Sequence, residues 1–114
     1  MATHNLGVKW FLLDSLRSGR KDLEIRVRGR YIDSIHEGDT IIFNGREQRR
    51  VKKISHFASF DSAVTGESVK RIAPGRSRNA TISFLRELHG RQEQRGVVVF
   101  ELEMLGPPMA ETGG

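Results

Sequence analysis

The chain of 114 residues contains no cysteine, which rules out disulfide bonds and metal sites built on thiolates. A metal site would have to use histidines and carboxylates instead. The four histidines stand at positions 4, 36, 56 and 89, and these positions do not follow metal-binding spacings such as His-x-x-x-His. We therefore predict neither a metal nor another cofactor.

Long apolar runs are also missing from the sequence. No stretch approaches the roughly 18 apolar residues that a membrane-spanning helix requires, and the first residues lack the apolar stretch of a signal peptide. The sequence therefore predicts a cytoplasmic protein with no membrane partner. With 37% hydrophobic residues, the chain is long enough for one compact domain and too short for two. We expect a single domain over residues 1–105 and a flexible tail over residues 106–114.

Positive charge dominates the composition, with 14 arginines, 5 lysines and a net charge of +5 at pH 7. Charge alone leaves two alternatives open: a nucleic-acid partner, or a cationic surface without a ligand. The acidic residues gather near the C-terminal strand at Glu101 and Glu103, apart from the basic clusters, and this asymmetry favours polyanion binding. The residues predicted to form a basic rim that contacts phosphates are Arg46, Arg49, Arg50, Lys52, Lys53, Arg76 and Arg78.

The most informative segment is residues 19–28, where charged and apolar residues alternate with the period of a strand. Leu23, Ile25 and Val27 should face a core. The opposite face should carry four charged side chains, Asp22, Glu24, Arg26 and Arg28. A charge at every outward position predicts a polar cleft rather than an ordinary wet surface.

Lys21 and Glu24 can share this cleft only if the strand is irregular. Residues three apart in a regular strand face opposite sides, so Lys21 must precede the strand, or a bulge must lie at residues 22–23. We predict one of these irregularities. Otherwise Glu24 would simply pair with Arg26 or with a basic residue of a neighbouring strand.

Other patterns define the elements around this segment. Asn44-Gly45 between two β-prone runs predicts a hairpin over residues 39–57. Ser59 is a predicted N-cap of a short helix. Trp10 and Phe11 fit either a core position or a surface on which a base stacks. The remaining predicted elements are a helix over Trp10–Leu16, a helix over Ala80–His89 with Asn79 as N-cap, and a strand over Gly96–Leu105.

Six short motifs, taken together and in order, resemble the ASCH family over nearly all of residues 6–105. They are GRKDLEIR at 19–26, GD at 38–39, FASF at 57–60, IAPG at 72–75, LREL at 85–88 and GVVVFEL at 96–102. The resemblance implies an α+β fold of the PUA-like type, a small mixed β-barrel with two or three helices. It also implies a cleft beside the barrel in which RNA binds.

In this family the Gly-x-Lys-x-x-Glu-x-Arg segment is taken to line the cleft, and its matching positions are Gly19, Lys21, Glu24 and Arg26. The resemblance therefore implies an RNA-binding or single-stranded nucleic-acid-binding module. Lys21, Glu24, Arg26 and Arg28 would meet a base or nucleotide, and the basic rim would hold phosphates.

The alternative is an enzyme, either a ribonuclease or a hydrolase of a modified nucleoside, with Lys21 and Glu24 as catalytic residues. One ASCH subgroup hydrolyses acetylated cytidine with a threonine three residues after the lysine, where this chain has Glu24. A carboxylate cannot replace an attacking hydroxyl, so the sequence departs from that mechanism. A third alternative, a domain that recruits another protein, would need an exposed apolar patch.

Overall fold

The computed structural model describes residues 1–105, and the predicted tail over residues 106–114 lies outside the described residues. The strands are β1 (Thr3–Leu6), β2 (Leu23–Val27), β3 (Thr40–Phe43), β4 (Glu47–Phe57) and β5 (Val97–Met104). The helices are α1 (Trp10–Arg17), α2 (Arg30–Asp33), α3 (Phe60–Ala63), α4 (Val69–Ile72) and α5 (Arg78–His89), followed by a 3-10 helix over Gly90–Arg95. No helix among these residues is long and apolar enough to cross a membrane.

The five strands form one curled sheet in the order β1-β3-β4-β5-β2, which gives a half-barrel. β1 runs parallel to β3, and the other neighbouring strands are antiparallel. The predicted α+β class is confirmed in this form. The expected two or three helices become five within residues 1–105. α2, α3 and α4 have four residues each, and of these the sequence indicated α3 through its cap Ser59 but gave no signal for α2.

Two apolar cores lie on opposite faces of the sheet. Leu23, Ile25 and Val27 of β2 pack in the first core with α3, α4 and α5, which confirms the predicted core face of this strand. The second core lies on the other face, where Phe43 and Phe100 pack against Leu16 of α1. Because side chains alternate along a strand, Glu24 and Arg26 point away from the first core.

The hairpin is confirmed, with strands β3 and β4 on either side of the Asn44-Gly45 turn. Asn44 has a positive φ of 53°, a conformation that asparagine tolerates better than most residues. In β4 a register shift between Val51 and Lys53 interrupts the pairing with β5. This irregularity explains why neither parity of β4 is purely apolar in the sequence.

The sequence predicted N-caps for two helices, α3 and α5. Ser59 is confirmed as an N-cap, since its side chain accepts a hydrogen bond from the backbone N–H of Ser62. Asn79 is not the N-cap of α5. Ser77 takes that place and accepts from the N–H of Ala80 at 3.1 Å, so the helix begins two residues earlier than predicted.

Strand β1 was not predicted, because four residues that pair in parallel with a distant strand leave little local signal. Strand β1 is held in place by Asp39, which is buried beside the start of β3. Its carboxylate accepts from the backbone N–H groups of Ala2 at 3.1 Å and His36 at 3.0 Å, and it lies 2.8 Å from Nε2 of His4. The hydrogen bonds from His4 and His36 lower the pKa of Asp39 from 3.8 to about 2, against the opposing effect of burial.

Asp39→Asn should therefore destabilise the protein in a pH-dependent way. A carboxyl with a depressed folded pKa stabilises the fold above its unfolded pKa, and this stabilisation is lost as the pH falls from 3.8 towards about 2. Denaturant unfolding above and below this window should show that wild type loses more of its free energy of unfolding on acidification than the variant does. Asp14→Asn removes the same charge from an exposed side chain and is the matched control. An equal acid sensitivity of wild type and Asp39→Asn would contradict this account.

Candidate functional site

A cleft of about 290 Å³ opens beside the edge strand β2, where the segment after β1 faces α5. Its walls are largely apolar and include Leu12, Phe84, Leu85 and Leu88. Six polar side chains also line it, and they come from the segment after β1, the loop before β2, β2 itself and α5. These polar residues are Lys9, Lys21, Glu24, Arg26, Thr81 and His89.

Lys21 lies in the loop before β2, as the predicted irregularity requires, and only 1% of it is exposed. Its ammonium donates to the backbone carbonyls of Leu23 at 2.7 Å and Ile72 at 2.8 Å, and it lies 2.8 Å from Oε1 of Glu24. An ammonium has three N–H donors, and these three acceptors use all of them. Lys21 therefore fixes the floor of the cleft and has no N–H left for a ligand.

Glu24 is the buried acid between two cations. Its Oε1 meets Lys21, and its Oε2 accepts from Nε of Arg26 at 2.6 Å. Burial raises the pKa of the Glu24 carboxyl, but the charges and hydrogen bonds of Lys21 and Arg26 outweigh burial and leave the pKa below its ordinary value. Glu24 is thus an ionised hydrogen-bond acceptor at the bottom of the cleft.

Arg26 connects the two edges of the half-barrel. Besides contacting Glu24 on its own strand, it donates from Nη2 to the backbone carbonyl of Gly7 at 2.6 Å, just after β1. The side chain keeps 21% of its surface exposed. Its Nη1 group has no hydrogen-bond partner within residues 1–105.

His89 and Thr81 of α5 add two uncharged polar groups. Burial lowers the pKa of His89, the charge of Arg26 lowers it further, and a hydrogen bond with Gln92 acts in the opposite direction. The ring is therefore neutral at pH 7. Thr81 is buried, and its hydroxyl has no hydrogen-bond partner in the described part of the chain.

Aromatic residues lie next to the cleft. Phe84, in the cleft wall, makes an edge contact with Phe11. The guanidinium of Arg76 lies over the ring of Phe11, 4.2 Å from the ring centroid. Trp10 also makes an edge contact with Phe11 and is 82% exposed. Trp10 is therefore not a core residue, and of the two alternatives left open by the sequence, its exposure favours a surface for stacking.

Two members of the predicted basic rim direct their guanidinium groups to backbone carbonyls. Arg49 is buried and donates to the carbonyls of Gln48 and Leu16, so it anchors the end of α1 to β4. Arg78 donates to the carbonyls of Val64 and Asp61 and ties the start of α5 to the segment after α3. The burial of Arg49 argues against a place in an exposed rim, whereas Arg78 keeps 40% of its side chain exposed.

The rest of the predicted rim is divided over the surface. Arg50 and Lys52 of β4 lie 3.8 Å from carboxylates of β5, those of Glu103 and Glu101 respectively. The basic and acidic clusters that are separate in sequence are therefore neighbours in the sheet. Arg46 and Lys53 are exposed, and Arg76 lies on the aromatic contacts beside the cleft.

The charged face predicted for residues 22–28 is also divided. Of the four charged side chains on that face, only those of Glu24 and Arg26 line the cleft. Asp22 pairs with Arg71 of α4 at 2.7 Å, and Arg28 pairs with Asp33 of α2 at 3.2 Å, so neither reaches the site with Lys21. Within residues 1–105 no three histidine or carboxylate groups are placed to hold a metal ion.

Sequence reasoning missed Lys9 and Thr81 as cleft residues. Lys9 follows strand β1, which the sequence did not predict. Thr81 lies in the predicted helix, four residues after its N-cap Ser77 and next to the apolar positions Ile82 and Leu85, and a threonine on this buried side is the signal that could have identified it.

Comparisons with known proteins place the fold but not the activity. No protein-family model matches the sequence, and no curated protein matches it. The crystal structure of hypothetical protein PH0355 aligns with a TM-score of 0.83 and 27% identity, over 92% of this chain and 100% of that one. The solution NMR structure of protein PF0455 from Pyrococcus furiosus aligns with a TM-score of 0.76 and 28% identity, over 94% of this chain and 100% of that one. The curled α+β half-barrel is thus shared with two solved structures.

Lys21→Met should destabilise the protein strongly, because it removes a buried charge that satisfies two carbonyls and Glu24. Removing one partner of a buried ion pair typically costs about 3–5 kcal/mol. Denaturant unfolding should therefore show a loss of that size. Lys53→Met, at an exposed position of β4, removes the same charge and should stay within about 0.5 kcal/mol of wild type. Equal stabilities of the two variants would show that the contacts of Lys21 do not hold the floor of the cleft.

Proposed function

We propose that this protein is an RNA-binding module of the ASCH type, with a half-barrel of the PUA-like kind, and that one base of a single strand enters the cleft. The observation that carries the proposal is the buried series Lys21, Glu24 and Arg26 at the floor of a cleft with apolar walls. Well-packed apolar residues in place of a buried ion pair are often neutral or stabilising, so stability alone gives no reason for a charged floor, whereas a role in binding does.

The chemistry of the cleft suits a flat heterocycle. Its volume of about 290 Å³ lies at the lower end of the range of small-molecule sites. Apolar side chains such as Phe84 and Leu88 would cover the faces of a ring. Glu24 would accept a hydrogen bond from a ring or amino N–H, and the free Nη1 of Arg26 would donate to an oxygen.

The surroundings of the cleft suit the rest of a strand. Lys9 lines the cleft, and exposed Arg76 and Trp10 lie beside it. A phosphate on either side of the inserted base would meet these cations, and Trp10 offers a face on which the next base stacks. These residues replace most of the rim expected from the sequence. Arg46, at the tip of the hairpin, is retained in the proposed rim. The same turn is close to the cleft, since Asn44 accepts a hydrogen bond from the backbone N–H of Val8, a residue of the cleft wall, at 2.8 Å.

The contacts of Lys21 favour a binding function over a hydrolytic one. A lysine that activates a nucleophile or moves a proton must expose a lone pair or a free N–H to the reacting group, and the three acceptors around Lys21 occupy its ammonium. We therefore assign Lys21 a positioning role and Glu24 a ligand-binding role. The hydrolase alternative makes a distinct prediction: incubation with RNA or acylated cytidine should yield products.

RNA binding should change the fluorescence of Trp10, which is the only tryptophan in the sequence. Titration with a short single-stranded RNA should give saturable quenching, and affinity should fall as salt rises, with a slope of log affinity against log salt of about −0.7 for each phosphate contacted. Chromatography of the same mixtures tests for hydrolysis. Saturable binding without product supports the proposal, product formation supports the hydrolase, and salt-independent or absent binding contradicts it.

Arg76→Gln should weaken RNA binding and reduce the salt slope by about 0.7, the contribution of one phosphate contact. Arg50→Gln is the matched control, since it removes the same charge from an exposed side chain of β4 that lies 3.8 Å from Glu103 and does not line the cleft. Its affinity and slope should match wild type. Equal losses in both variants would mean that the positive charge acts over the whole surface rather than at the cleft.

A further inference from the structure

One backbone edge of strand β2 is not used by the sheet. β2 is the last strand in the sheet order and pairs only with β5, so its other edge has no neighbouring strand within residues 1–105. In an antiparallel pair, residues that exchange backbone hydrogen bonds alternate with residues that do not. The N–H of Arg28 donates to the carbonyl of Gly96 at 3.0 Å, and that of Leu102 donates to the carbonyl of Asp22 at 2.9 Å, so the even-numbered residues of β2 bond β5. The residues that direct their N–H and C=O groups to the free edge are therefore Leu23, Ile25 and Val27.

This free edge runs along the cleft. The carbonyl of Leu23 lies on it and accepts from the ammonium of Lys21 at 2.7 Å, and Lys21 lines the cleft. Glu24 and Ile25, whose side chains leave the strand on opposite faces, both line the cleft as well. A cleft that reaches both faces of one strand extends along the edge of that strand. The N–H and C=O of Ile25 are therefore directed towards the cleft.

Ile25 differs from its neighbours on the free edge. The carbonyl of Leu23 is already bonded to Lys21, and Val27 does not line the cleft. Within residues 1–105 no side chain or loop backbone bonds the N–H or C=O of Ile25, although the residue is buried. Buried backbone groups are nearly always paired, within the protein or with ordered water. A molecule that enters the cleft can take the place of such water and bond both groups.

We propose that the N–H and C=O of Ile25 bind the pairing edge of the inserted base, so that the cleft accepts an unpaired nucleotide and rejects a paired one. This inference rests on the proposed function. A neighbouring donor and acceptor on one residue complement a flat group with a neighbouring acceptor and donor. All four RNA bases carry such a pair on the edge used in Watson–Crick pairing, so the contact does not by itself select among them. It does require that this edge is free, as it is in loops and single strands.

The geometry favours a base over an extended peptide. A peptide that adds a strand to a sheet edge bonds several alternate residues along that edge. In this cleft only Ile25 offers both of its backbone groups, and the volume of about 290 Å³ suits one ring system rather than a row of residues. The edge of β2 therefore recognises one flat group at one position.

The backbone amide of Ile25 can be followed directly by NMR in the wild-type protein. In the protein alone, it should exchange with solvent faster than the amides of Glu24 and Arg26, which bond β5. A short RNA is then added, either as a single strand or annealed to its complement. The single strand should shift the Ile25 amide resonance and slow its exchange, and it should leave the amide of Val27, on the same edge but outside the cleft, unchanged. The duplex should leave both amides unchanged.

A pair of variants tests the same contact by affinity. Ile25→Pro removes an N–H that does not bond β5, and a strand at the edge of a sheet tolerates proline at such a position. Ile25→Ala is the matched control, since it shortens the same side chain and keeps the N–H. Affinity for single-stranded RNA should be about 5-fold lower in Ile25→Pro than in Ile25→Ala, the effect of one lost hydrogen bond. If Ile25→Pro does not fold, the amide measurements on wild type decide alone.

Saturable quenching of Trp10 by single-stranded RNA with an unchanged Ile25 amide would overturn the inference and leave the proposed function intact. The same holds for an Ile25 amide that is as well protected as that of Glu24 before RNA is added, and for equal affinities of Ile25→Pro and Ile25→Ala. An equal response of the Ile25 amide to the duplex and to the single strand would also overturn the inference. If no RNA binds, the proposed function itself fails, and the inference fails with it.

Discussion

The buried ion series of Lys21, Glu24 and Arg26 is the constraint on which both the fold and the cleft rest. Lys21 connects the start of β2 with the end of α4 through the carbonyls of Leu23 and Ile72. Arg26 connects β2 with the residue after β1. The two edge strands of the half-barrel are thus joined by side chains rather than by a ladder of backbone hydrogen bonds, and the opening that remains between them is the cleft.

A packed apolar seam could have closed the same edges at lower cost in desolvation. Charged groups do something that an apolar seam does not: they hold Glu24 ionised and keep part of Arg26 exposed inside a largely apolar cavity. In such surroundings electrostatic interactions are stronger than in water. The proposed role of the cleft in binding a base follows from this combination of a rigid charged floor and apolar walls.

The sequence predicted the local features well. Alternation in β2, the Asn44-Gly45 turn and the periodicity of α5 each depend on residues that are close in the chain. From the steric rule for residues three apart, the sequence also predicted that Lys21 meets Glu24 only if it precedes the strand or if a bulge lies at residues 22–23, and the structure shows the first of these. Features that depend on pairing between distant segments were not predictable. The proximity of Arg50 to Glu103 arises only because β4 lies beside β5, and this proximity cancels much of the charge asymmetry that the linear sequence displays.

Strand β1 gives the site a further property. It is four residues long, lies at the edge of the sheet and pairs with a strand more than thirty residues away in sequence, as in the register of Thr3 with Thr40. Short edge elements with such distant partners are among the parts of a protein that open locally at low free-energy cost. The residues that follow β1, Gly7, Val8 and Lys9, form one wall of the cleft. Docking of the first segment of the chain and completion of the cleft are therefore a single event, and any molecule held between this wall and Arg26 would also hold the first strand in the sheet.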